Sequence, residues 1–114
     1  MTTAAIQNII VHSEEDMHLG LNKVAELMKA DYTKNGFNGD YEIEFDFGKK
    51  YIKVVVENRG SRSVNGFVVN CHNDKEFPYG TLLKAAGWKA PARNKSRGSV
   101  FELEGKTLPW TGIE

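Results

Sequence analysis

Tyr41-Glu42-Ile43-Glu44-Phe45-Asp46-Phe47 is the stretch on which the fold turns. Its four apolar side chains alternate with three carboxylates. That period of two belongs to a strand with one buried face and one acidic, solvated face. Gly48-Lys49-Lys50 turns the chain, and Tyr51 to Glu57 follows, whose β-branched run Ile52-Lys53-Val54-Val55-Val56 suits a strand central to a sheet. A Gly-bearing hairpin loop, Asn58-Arg59-Gly60-Ser61-Arg62, leads to a third strand over Ser63 to Asn70. Asn70 to Gly80 is polar and turn-rich, and Thr81 to Ala85 resumes as either a fourth strand or one helical turn stopped at Gly87.

Upstream of Tyr41 the period is helical. Ser13 can cap a helix while Asp16, three residues on, supplies the reciprocal half of a capping box, and the acidic first turn Glu14 to Asp16 suits the helix dipole. Met17, Leu21, Val24, Met28 and Tyr32, with Leu27 alongside, form one apolar stripe. The helix is expected to run to about Asn35, with Gly36 as the left-handed terminator and Asn38-Gly39 as a second breaker. Residues 3 to 11 read equally as a short helix or a strand. Short connections favour an antiparallel meander. The sequence therefore predicts an α+β fold: a meander sheet of three to five strands covered on one face by one main amphipathic helix, in a single domain over residues 1–114.

A chain of 114 residues buries roughly two thirds of its unfolded surface around one core. An apolar content of 40% with no low-complexity tract places it among folded proteins. Cys71 is the single cysteine and has no intramolecular disulfide partner, and no secretory pattern opens the chain, so a cytoplasmic, intracellular setting is expected. The apolar runs are too short to cross a bilayer, so no membrane partner is expected.

The zero net charge hides a strong asymmetry. Gly48 to Phe101 holds eleven Lys/Arg against three Asp/Glu, a net of +8, whereas residues 1 to 47 carry −6 and the tail from Glu102 carries −2. A positive field of this kind attracts anionic partners. Five of the cations, Lys84, Lys89, Arg93, Lys95 and Arg97, surround Trp88 in an aperiodic segment that Pro91 stiffens between Gly87 and Gly98. Arg59 and Arg62 in the hairpin extend the patch if the two loops meet. Cations neutralise phosphates and an exposed indole stacks on a base, so these eight residues are candidate contacts to DNA or RNA. The competing reading makes Trp88 a core plug that pins an irregular loop to the sheet, with the lysines as ordinary solvated surface.

Lys84, Ala86, Trp88, Lys89, Pro91 and Ala92 spell K-x-A-x-W-K-x-P-A, followed by Arg97-Gly98 and the apolar pair Val100-Phe101, and preceded by Arg62-Ser63-Val64. This half of the chain, roughly Lys50 to Phe101, resembles small uncharacterised proteins of tailed phages. The resemblance implies a phage origin, and hence a host cytoplasm, but no mechanism.

Catalytic and metal motifs are weak. Glu42, Glu44 and Asp46 share a strand face at about 7 Å spacing, but no lysine sits in a Glu-x-Lys arrangement beside a second acidic strand, as a Mg²⁺ nuclease requires. His12, His18, Cys71 and His72 lack zinc spacing. No Gly-rich phosphate loop or nucleophile elbow occurs. The expectation is a non-enzymatic protein without cofactor or metal. It is either a nucleic-acid-binding accessory protein or a protein interaction module that pairs with a host protein or with itself, an acidic strand edge facing a basic patch on a neighbouring copy.

Overall fold

A computed structural model describes residues 12–114. The reading of residues 3 to 11 lies outside the described residues. Helix α1 spans Glu14–Lys34, and the strands are β1 (Tyr41–Phe47), β2 (Tyr51–Asn58), β3 (Ser61–Val69) and β4 (Leu82–Leu83). They form one antiparallel sheet in the order β1-β2-β3-β4, with α1 packed against it. This is the expected α+β meander.

The capping box is present at the start of α1. The Asp16 N–H donates to Ser13 Oγ (3.1 Å), and the Ser13 N–H donates to Asp16 Oδ2 (3.0 Å). That second bond holds the Asp16 carboxyl below its ordinary pKa. Met17, Leu21, Val24, Met28 and Tyr32 are all buried, as the stripe requires, and Gly36 ends the helix at φ +87°. Gly20 joins the buried row because Val100 lies against it: a Cβ there would sit 2.7 Å from the Val100 carbonyl oxygen.

The structure departs from the sequence expectation at two points and decides one alternative left open. The hairpin between β2 and β3 is a two-residue turn, Arg59-Gly60, with both φ angles positive (54° and 83°), the primed geometry that matches strand twist. Arg62 is therefore a strand residue paired with Glu57, not a loop residue. Thr81 to Ala85 resolves as strand: β4 is flanked by the antiparallel bridges Thr81↔Ser99 and Ala85↔Pro91. Finally, the apolar row of β1 is fully buried only at Tyr41: Ile43 and Phe45 are partly buried and Phe47 is half exposed (50%).

The face of the sheet beneath α1 is closed by the chain's irregular tail. Val100, Leu103, Leu108 and Ile113 join the helix stripe and Ile52, Val54, Val56, Val68 and Leu82 in one core. Polar bonds fix the tail. The Trp110 carbonyl accepts from Tyr41 Oη (2.7 Å) and Asn65 Nδ2 (3.0 Å), the Trp110 N–H donates to Asp31 Oδ2 (2.8 Å), and the Ile113 N–H donates to the Asn65 carbonyl (2.7 Å). Asn65 is free to do this because β3 is irregular there: Val54 faces Gly66 and Val55 faces Val64, leaving Asn65 as the extra residue of a bulge. Burial, with the nearby Asp31 charge, pushes the Tyr41 phenol up to about 12.

The opposite face is not wholly solvated. Phe67, Val69, Phe77 and Leu83 form a second, smaller core under the segment between β3 and β4, with Tyr51, Val64, Cys71 and Ala85 at its margin.

Candidate functional site

Strand alternation decides which side chains share the outer face, away from α1. From the register, β1 contributes Glu42, Glu44 and Asp46, β2 contributes Tyr51, Lys53, Val55 and Glu57, and β3 contributes Arg62, Val64 and Phe67. Charge is sorted along this face. At the hairpin end Glu42 lies opposite Glu57, Glu57 opposite Arg62, and Arg62 Nη1 is 3.5 Å from Glu44 Oε1. At the other end Lys53 lies opposite Asp46, beside the Lys49-Lys50 turn.

Trp88 sits at this second end. The Ala86 and Gly87 N–H groups both donate to the Ala90 carbonyl (3.0 and 3.2 Å), the Ala92 N–H donates to the Lys84 carbonyl (2.7 Å), and Ala85 bridges Pro91. Those bonds make a tight turn with Trp88 and Lys89 at its tip. The indole is 48% exposed, and the Lys53 ammonium lies 5.0 Å from its ring centroid. The core-plug reading of Trp88 is thus corrected. Trp110 takes that role, packing against Tyr32, Phe37 and Tyr41.

Two recesses open beside the Lys49-Lys50 turn, the smaller of them also against Lys89 of the Trp88 turn. One, of about 250 Å³, is lined by Asp46, Lys50, Tyr51, Lys53, Phe67 and Lys89. The other, of about 550 Å³, is lined by Lys49, Lys50, Cys71, Asp74, Lys75 and Arg93, with Asn73 and Glu76. Lys50 is common to both. Sequence reasoning missed Lys49, Lys50, Lys53 and Lys75. The signal was the lysine pair in the β1–β2 turn and the outward parity of Lys53 relative to Asp46.

The seven candidate cations and Trp88 do not form one surface. Lys53, beneath Trp88, and Glu57, opposite Arg62, are four residues apart on β2, roughly 13 Å at 3.3 Å per residue. Arg59 and Arg62 therefore stand at the far end, and Arg62 is engaged by Glu44. Arg93 is engaged more fully. Its guanidinium bonds Tyr51 Oη (2.6 Å), lies 2.9 Å from Asp74 Oδ2 and 3.4 Å from Glu76 Oε1, and stands 5.0 Å over the Phe77 ring. The Asp74 side chain is 2% exposed and also accepts from the Phe77 and Glu76 N–H groups (2.8 and 2.9 Å). Arg93 first, then these N–H donors, hold its carboxyl well below the usual carboxylate range, and Asp74 in turn raises the Arg93 pKa. Arg93 is a brace for the second core. Arg97 is half-buried, its Nε without a partner among the described residues and its Nη2 3.4 Å from Asn94 Oδ1. Lys84, Lys89 and Lys95 are exposed. Lys84 and Lys89 belong to the Trp88 turn.

Among the described residues no three His, Cys, Asp or Glu side chains converge as metal ligands, and no helix is long and apolar enough to cross a membrane.

Residues 2–110 match a family model described as a family of unknown function (DUF7717). No curated protein and no solved structure matches.

Proposed function

The chain belongs to this family of unknown function, DUF7717, and on that premise we propose that it is a non-catalytic accessory protein that binds a nucleic-acid strand at the Trp88 end of its outer face. The observation that carries the reading is the half-exposed indole at the tip of a braced turn, with Lys53 against its ring and Lys50 and Lys89 lining the adjoining recess. A large aromatic held out of the core has a role other than core packing, and a base stacked on it gains about 1 to 3 kcal/mol. Lys49, Lys50, Lys53, Lys84 and Lys89 supply the phosphate contacts, with little sequence preference. Arg93 serves the site by holding the second core beneath the turn. A tailed-phage origin, implied by the K-x-A-x-W-K-x-P-A motif, belongs to the same proposal.

Salt-titrated binding of labelled single- and double-stranded DNA and RNA tests it. Single-strand affinity is expected to fall with a log–log slope of about −3 if four to five lysines meet phosphates. Trp88→Ala is expected to weaken binding roughly 5- to 150-fold at constant slope, and Lys50→Ala with Lys53→Ala to flatten the slope. Absence of binding at about 50 mM salt, where phosphate contacts are strong, overturns the proposal.

A further inference from the structure

Among the described residues, the acidic stripe of β1 lies on a sheet edge with no strand beside it. The Arg59 N–H donates to the Asp40 carbonyl (3.1 Å) and the Gly48 N–H to the Tyr51 carbonyl (2.9 Å), so even-numbered residues of this strand direct their main chain toward β2. The N–H and C=O groups of Ile43, Phe45 and Phe47 therefore face away from the sheet. Among the described residues none of them has a hydrogen-bond partner. A seven-residue edge of this kind is a template for another strand.

Two further features state what that strand must look like. Glu42, Glu44 and Asp46 are exposed at every second position of the outer face, and only Glu44 has an ion-pair partner among the described residues, Arg62. Glu42 also lies opposite Glu57, a like-charge pair that an adjacent cation relieves. On the other face the apolar row is unfinished, since Ile43 and Phe45 are only partly buried and Phe47 is half exposed beside His18, 5.5 Å away.

We propose that the β1 edge pairs with an extended segment of a partner protein carrying Lys or Arg at every second position and apolar side chains between them. The cations meet the carboxylate stripe, and the apolar residues continue the row formed by Ile43, Phe45 and Phe47. A second copy is a poor occupant. Antiparallel β1–β1 pairing about a two-fold axis normal to the sheet keeps both acidic stripes on one face, carboxylate opposite carboxylate, which is destabilising. The proposal is independent of the Trp88 surface.

The test uses capped nine-residue peptides read by fluorescence anisotropy against the whole chain. One alternates Lys and Val, an isomer of the same composition has contiguous lysines, and a third alternates Glu and Val. The alternating Lys peptide is expected to bind roughly tenfold or more tighter than either control, the effect of a few cross-strand charge pairs. Glu42→Lys with Asp46→Lys is expected to reverse the preference toward the Glu peptide. On the wild-type protein, the Lys peptide is expected to slow amide exchange at Ile43 and Phe45, a readout that does not depend on the variant folding. Equal binding of the two lysine isomers, or unchanged exchange at these amides, overturns the proposal. So does a peptide-free dimer that blocks the Lys peptide, which assigns the edge to a second copy.

Discussion

The face of the sheet under α1 and the face away from it are built from the same three long strands and differ in what closes them. Among the described residues, fifteen buried side chains from the helix, the sheet and the tail form the inner core, none of them charged. Four form the outer one, and its lid is held by a guanidinium between two carboxylates and a phenol. The difference separates tasks. The inner face fixes the fold, and the outer face, with its sorted charges and its half-exposed indole, is the one on which both proposed binding surfaces draw.

Perturbing each face sharpens that contrast. The largest effect belongs to the inner core, where Met28 is fully buried: Met28→Ala is expected to cost about 2 to 5 kcal/mol in denaturant unfolding. A cost near zero breaks the assignment of stability to this face. A smaller effect, dependent on pH, is expected at Arg93. The Asp74 carboxyl is depressed in the folded state, so its contribution is present above the ordinary value of 3.8 and is lost as pH falls through the folded value. Arg93→Met is therefore expected to lower Tm at neutral pH, and its gap from wild type to narrow as pH drops below that range. A gap that stays constant across thermal melts at successive pH values shows that the guanidinium acts only by covering Phe77. The smallest effect is expected at Trp88, where Trp88→Ala changes unfolding free energy by no more than about 0.5 kcal/mol, the range of a surface position. A loss of several kcal/mol there returns the indole to the core and breaks the distinction between the faces.

Local pattern carried much of this to the reader of the sequence. The alternation of Tyr41 to Phe47 and the stripe from Met17 to Tyr32 specify strand and helix because each side chain's environment follows from the backbone period. Ser13 and Asp16 specify the helix start because their bonds span three residues. What sequence reading missed depends on distant partners. Arg93 looks like a free cation until Asp74, nineteen residues earlier, is brought beside it, and Arg62 until Glu44 is. Leu103, Leu108 and Ile113 follow neither helical nor strand period, so their burial is invisible without the sheet they cover. Trp88 and Trp110 are alike in composition. Only the turn bonds around Ala90 and the edge-on packing of Trp110 against Tyr32 and Tyr41 tell which is outside.

The Trp110 carbonyl, which receives both Tyr41 and Asn65, also bears on the order of events during synthesis. The helix and the β1–β2 and β2–β3 hairpins can form from residues adjacent in sequence, but the core they share stays only partly covered until Leu103, Leu108 and Ile113 have left the ribosome. N-terminal segments emerge first at about 5 to 20 residues per second. Until those residues emerge, the nascent chain thus presents a sheet covered on its apolar face by α1 alone, the state in which a chaperone has most to grip.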